Sequence, residues 1–174
     1  VYNHEPYLRQ CLDGFVMQKT NFKFEAIVHD DCSTDNSAAI IREYAEKYPD
    51  IIKPIFETEN QYSKHDGSIE KIMDTACNGR YIAFCEGDDY WIDPKKIQKQ
   101  YDALVSYPLA TMCYTGFYCV DDKGNEYIRP YYEKLMKKSS SGDNFVKLIK
   151  GPNYPMTLTC MVRNDVLNSP FYHD

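Results

Sequence analysis

The chain has 174 residues, enough for one domain with a sizeable core, and 43% of them are hydrophobic. Its net charge of -6 and pI near 5.2 argue against broad nucleic-acid binding through a basic surface. No apolar stretch approaches the ~20 residues that span a bilayer. Val1-Tyr2-Asn3-His4 has neither the basic start nor the apolar core of a signal peptide. Seven cysteines with no Cys-x-x-Cys spacing weaken zinc-ribbon and disulfide readings and point to a reducing, cytoplasmic setting.

Along the chain, Glu5 to Gln18 sets Leu8, Cys11, Leu12, Phe15 and Val16 at helical spacing. Phe24 to His29 reads as a strand that breaks at Asp30-Asp31-Cys32-Ser33-Thr34-Asp35-Asn36-Ser37, and N-cap residues there open a helix from Ser37 to Tyr48. Ile51 to Phe56 is the next strand, and Glu59-Asn60 starts a loop. Ser68 to Cys77 reads as a helix closed by Asn78-Gly79 as a left-handed cap. Tyr81 to Cys85 is an apolar strand that feeds Glu86-Gly87-Asp88-Asp89-Tyr90-Trp91. Asp93 is then expected as an N-cap, with Pro94 at the first position of a helix reaching Tyr107. Ala110 to Val120 predicts one long strand turned by Asp121 to Asn125. Lys137 to Gly142 is a polar, serine-rich loop, Asn144 to Lys150 a short helix, Met156 to Val162 a strand, and Asn164 to Leu167 the start of another helix. This β-α-β-α-β order predicts an α/β domain with a mainly parallel, Rossmann-like sheet and helices on both faces. Such sheets bind ligands at the carboxyl ends of their strands.

Glu86, Asp88 and Asp89 place three carboxylates within four positions at a strand end. Like charges this close repel and resist losing water. A hard divalent cation would offset that cost; the bland alternative is a solvated acidic turn. Asp30-Asp31 ends a second strand, so both clusters open on one edge of a parallel sheet. Together they suggest a nucleotide-plus-metal site, in which one carboxylate accepts the imide hydrogen of a pyrimidine and another holds a cation against a diphosphate. Among other polar residues, His29 reads as a core or rim residue and Lys64 as a surface lysine with a phosphate role as the alternative. Trp91 reads as the anchor of the acidic loop in the core. Tyr131 and Tyr132 are candidates for a sugar-stacking platform.

The residues Val-Tyr-Asn-His at 1–4, Asp-Asp-Cys-Ser-Thr-Asp at 30–35, Glu-Asn at 59–60 and Glu-Gly-Asp-Asp-Tyr-Trp at 86–91 resemble, in order and over nearly the whole chain, the motifs of family 2 glycosyltransferases. The resemblance implies a single GT-A domain over 1–174. It implies inverting transfer of a sugar from a nucleotide-sugar donor, UDP-linked, to a saccharide or lipid-linked acceptor in bacterial cell-surface polysaccharide assembly. A lipid-linked acceptor would bring peripheral association with the inner face of the membrane, and the cofactor would be Mn2+ or Mg2+. At matched positions Tyr2 would lie near the nucleobase, Asp31 and Asp30 would bind it, and Glu86 would lead the acidic motif. Asp88 and Asp89 would form its DxD-type metal and sugar-diphosphate site. Three places depart from the family pattern: Cys32 stands where glycine is usual, Glu86 where aspartate is usual, and Asn60-Gln61-Tyr62-Ser63-Lys64 where Asn-x-Gly often follows the third strand. The resemblance also implies a first strand before Val1 and a catalytic base beyond Asp174, whose own surroundings do not match that motif. A non-catalytic nucleotide-binding module and a nucleotidyltransferase are the alternatives. The second would need a glycine-rich, basic phosphate loop where this chain has Asn3-His4-Glu5-Pro6-Tyr7.

Overall fold

In the computed structural model, which describes residues 1–121, 123–138 and 155–167, the first element is α1 (Glu5–Val16). Its apolar stripe is the one the spacing predicts: Leu8, Cys11, Leu12 and Phe15 are all buried. Proline in its first turn removes only an N–H that has no intrahelical partner. Strand β1 (Ala26–Asp30) then pairs in parallel with β2 (Ile52–Phe56), Ala26 opposite Ile52 and Asp30 opposite Phe56. The crossover between them is α2 (Ser37–Lys47), which buries Ile40, Ile41 and Tyr44. Leu8, Leu12, Ile41, Ile52 and Leu104 are completely buried and form the centre of the core.

The single-turn helix η1 (Tyr62–Lys64) and α3 (Ser68–Ala76) lead to β3 (Tyr81–Ala83). Helix α4 (Lys96–Ser106) connects β3 to β4 (Met112–Tyr114), and a hairpin of β5 (Cys119–Val120) and β6 (Glu126–Tyr127) follows. Its turn is as expected: Gly124 takes a left-handed φ of 79°, and the Asp121 carboxylate accepts from the amides of Lys123 and Asn125. After α5 (Pro130–Lys138), η2 (Thr157–Thr159) runs into β7 (Cys160–Arg163) and α6 (Asn164–Leu167). β7 lies between β3 and β4 and is antiparallel to both. The architecture is therefore mixed α/β, with a parallel half and an antiparallel half.

Several boundaries differ from the sequence reading for local reasons. The stretch from Ala110 to Val120 is two strands, because only Met112 to Tyr114 find partners on β7. Gly79 is not a left-handed cap. Instead the Asn78 side chain donates to the carbonyls of Thr75 and Ala76, satisfying the helix end directly. Asp93 does not cap α4 from the adjacent position. Its carboxylate accepts from Lys95 N–H, and the helix opens at Lys96. Lys137 and Lys138, expected in a loop, instead close α5, while residues 139–142, Asn144 to Lys150 and Asp174 lie outside the described residues.

Between β1 and β3 runs a cleft of about 1310 Å³, lined by both strands and by Leu8, Phe15, Phe22 and Tyr101. Val1 also lines it, its amine donating to His29 O and its carbonyl accepting from Asp31 N–H.

Candidate nucleotide-sugar site

The loop after β1 is fastened to the start of the chain by reciprocal hydrogen bonds. Asn3 adopts a left-handed φ of 55°, which asparagine tolerates better than most residues. From there its carboxamide oxygen accepts from Thr34 N–H at 2.8 Å and from Asp35 N–H at 3.4 Å. In return Asn3 N–H donates to Ser33 Oγ, His4 N–H to Ser37 Oγ, and Glu5 N–H to Asp35 Oδ2. Glu5 completes the lacing by accepting from both the backbone and the side-chain amide of Asn36. Cys32, in the position where glycine was expected, holds a left-handed φ of 62°. That costs a residue with a Cβ about 1 kcal/mol.

Asp30 and Asp31, 2% and 3% exposed, end β1 in contrasting states. Asp31 is consumed by the fold: its two carboxylate oxygens accept from Gln61 N–H at 2.6 Å and Tyr62 N–H at 3.0 Å, which fixes η1 beside it. Asp30 Oδ2 accepts only a long bond from Ser33 N–H, and Oδ1 is buried without a partner. An orphaned buried acceptor is costly and calls for a donor. Tyr2 is half exposed and lines the large cleft together with Asp31, Tyr62 and Glu86. Lys64 pairs with Glu59 at 2.5 Å and also donates to Gln61, and buried His29 faces Glu57 at 3.3 Å.

The acidic loop leaves β3 against α1. Cys11 Sγ reaches Glu86 O, and Gly87 lies so close to His4 that a Cβ there would meet His4 Nδ1 at 2.7 Å. A side chain at 87 is therefore excluded. His4 Nδ1 is itself buried without a partner. Glu86 and Asp88 are exposed, while Asp89 is half-buried. Burial, followed by the negative charges of Glu86 and Asp88, pushes Asp89 up to about 6. Trp91 closes the loop. Its ring meets Phe15 edge-on at 4.9 Å, Nε1 donates to Leu158 O, and its backbone rests where a Cβ on Gly14 would intrude at 2.9 Å. This is the anchoring role expected of it. The loop also divides two spaces: Glu86 and Gly87 face the large cleft, and Asp88 and Asp89 face a second cavity of about 280 Å³ floored by Trp91, Phe117, Tyr118 and Leu158.

The family model described as glycosyl transferase family 2 matches residues 1–165. The chain belongs to that family. It is 44% identical over 113 residues to an uncharacterized protein of Mycobacterium tuberculosis, a match covering 65% of this chain and 32% of that one. It is 36% identical over 91 residues to the poly(ribitol-phosphate) beta-glucosyltransferase of Bacillus spizizenii, covering 52% and 14%. The chain thus spans about a third or less of the length of these relatives. Among solved structures, Staphylococcus aureus TarS (residues 1–349, with UDP) overlays with a TM-score of 0.65 at 20% identity, covering 96% of this chain and 46% of that one. The mannosyltransferase PcManGT of Pyrobaculum calidifontis, in complex with GDP-Man and Mn2+, overlays with a TM-score of 0.55 at 23% identity, covering 64% and 32%. These likenesses establish the GT-A fold.

Within this GT-A domain, Tyr2, Asp31 and Glu86 share one cleft, and Asp88 and Asp89 line the adjoining cavity. Tyr131 contacts Tyr132, and Tyr132 meets Phe117 of the second cavity floor edge-on at 5.2 Å, although neither tyrosine lines either space itself. No cluster of three or more His, Cys, Asp or Glu side chains among the described residues forms a complete metal cage. A cation held by one or two carboxylates and completed by substrate phosphates fits the loop better, and that is how magnesium is usually bound. The half-burial of Asp89, beside the charges of Glu86 and Asp88, is the observation in favour of such a cation. Three contributors were not assigned from the sequence: Asn3, Ser37 and Tyr62. The signal for Asn3 was available, since asparagine is the residue that enters left-handed backbone most readily after glycine.

Proposed function

We propose that this domain binds a nucleotide-sugar donor, UDP-linked, and transfers its sugar to a saccharide or lipid-linked acceptor in cell-surface polysaccharide synthesis. The observation that carries this reading is the pair of strand-end acidic loops, one with a buried carboxylate oxygen lacking a donor and the other with a half-buried carboxylate raised by burial and by its acidic neighbours. The polymer named for the Bacillus relative and the UDP and GDP-Man named for the two structures support the substrate class. In this assignment Tyr2 stacks on the base, and Asp30 Oδ1 accepts its imide hydrogen. Asp31 acts indirectly, by holding Tyr62 at the cleft wall. Asp88 and Asp89 hold Mn2+ or Mg2+ against the diphosphate, with Glu86 beside them. When bound, the cation would neutralise the departing diphosphate. The protein's own contribution is orientation: the laced loop fixes the base side, and the anchored acidic loop fixes the phosphate side.

Two further parts belong to the proposal. An additional parallel strand leading into Val1 would lie beside β1, extending the hydrogen bonds already made by Val1 to His29 and Asp31. A carboxylate base would come from outside residues 1–174. No helix among the described residues is long and apolar enough to cross a membrane. We place the enzyme in the cytoplasm, at the inner membrane face where the acceptor is lipid-linked.

Calorimetry with UDP and Mn2+ tests the site. Wild type should show metal-dependent binding, and Asp89→Ala should lose it by on the order of a hundredfold. Equal metal-dependent binding by both proteins would remove Asp89 from the site.

A further inference from the structure

Lys96 is a lysine in an uncommon position. It is 7% exposed, and no carboxylate of the described residues forms an ion pair with it. Buried lysines are rare without a paired charge. Its Nζ donates to Gln100 Oε1 at 2.7 Å and lies 4.4 Å from the centre of the Trp91 ring. Gln100, 3% exposed, passes the connection on: its Nε2 donates to Thr159 O at 2.8 Å and, more weakly, to Cys113 O. Trp91 Nε1 donates to Leu158 O, the neighbouring residue of the same η2 segment. The end of the acidic loop, the first turn of α4 and the entry to β7 are thus joined through one ammonium and one indole.

We propose that Lys96 is a positioning residue for the acidic loop: its buried ammonium, held by Gln100, clamps the Trp91 ring and thereby fixes Asp88 and Asp89, three and two residues upstream. The assignment rests on the donor site proposed above. The interaction that fits the distances is cation–π, which strengthens when desolvated. Burial lowers Lys96 to about 8, the direction expected of an ammonium stabilised by a ring face and an amide rather than by a full opposite charge. A stability role alone would be better served by an apolar side chain, since isosteric replacement of a buried ion commonly leaves a fold unchanged or more stable. The charge is therefore retained for the geometry it imposes on Trp91.

The test separates stability from ligand binding, and Trp91, the only tryptophan of the 174 residues, supplies the signal. In the intact protein, Mn2+–UDP and Mn2+–GDP are titrated while indole emission is followed, on wild type, Lys96→Met and Lys96→Arg, with Tm measured for each. Lys96→Met should keep or raise the Tm, shift the emission of the ligand-free protein, and weaken nucleotide–metal affinity roughly tenfold. Lys96→Arg should recover part of that affinity. Unchanged affinity in Lys96→Met would overturn the positioning role, as would affinity and Tm falling together, or no recovery with arginine. Failure of the wild type to bind either metal–nucleotide pair would instead overturn the donor site, and this assignment with it.

Discussion

The two loops that leave the carboxyl ends of β1 and β3 carry similar acid and treat it in opposite ways. In the loop from Asp30 to Asn36, Asp31 and Asp35 are satisfied by backbone amides of other segments, and Asn3 and Glu5 return the favour. In the loop from Glu86 to Trp91, none of the three carboxylates receives a backbone amide among the described residues, and Asp89 is raised by burial and then by its acidic neighbours. The contrast separates scaffold from site. Acid that folding has satisfied gains less from a ligand, whereas acid left beside like charges gains most when a cation arrives. Asp30, with one oxygen tied and the other free, is the single residue of the first loop that behaves like the second.

The strongest way to break this comparison is Asp89→Asn. The substitution removes a charge that the folded protein disfavours, so it should raise stability by ~1 kcal/mol after allowance for solvent screening. It should also reduce metal-dependent transfer on the order of a hundredfold. The pH dependence follows the same sign. A carboxyl whose folded value is about 6, above its ordinary 3.8, is easier to protonate folded than unfolded. Its contribution to stability therefore grows as pH falls through 6 and is exhausted below the unfolded value. Wild type should narrow its Tm gap to Asp89→Asn between pH 7 and pH 5. A gap independent of pH would show that Asp89 is not the strained carboxylate.

The first loop makes the opposite prediction: its residues should cost stability first and binding only through it. Asn3→Ala loses the bonds to Thr34 and Asp35 and places alanine at a left-handed φ, for a total of about 2 kcal/mol. Asn3→Gly loses only the bonds and should cost about half as much. Denaturant melts of the two variants check this. Equal losses would mean that the backbone angle contributes nothing.

Much of this arrangement was legible in the sequence because it is local. The stripe of α1, the crossover helix α2 and the strand-end position of both acidic clusters follow from spacing alone. What was not legible depended on partners distant in the chain. That Gln61 and Tyr62, about thirty residues on, donate to the two oxygens of Asp31 is not readable from local spacing. The antiparallel entry of β7 could not be read from the β-α-β order. Neither could the break in the strand after Tyr114, since each is decided by pairing across some fifty residues. The role of Lys96 is likewise not legible in the sequence, because only the folded chain brings it to the Trp91 ring.

The smallest effect concerns Cys32, the first loop's one departure from glycine. Its φ of 62° is a cost carried by the scaffold side of the comparison, and no side-chain hydrogen bond or disulfide repays it. Cys32→Gly relieves about 1 kcal/mol of backbone strain and adds back somewhat less in unfolded-chain entropy. The net gain should be roughly 0.5 kcal/mol, read as a rise of one to two degrees in Tm. Nucleotide–metal affinity should not move, because the lacing through Asn3, Ser33 and Asp35 is untouched. If Cys32→Gly weakened binding instead, the thiol would itself be a contact at the cleft, and the first loop would not be scaffold alone.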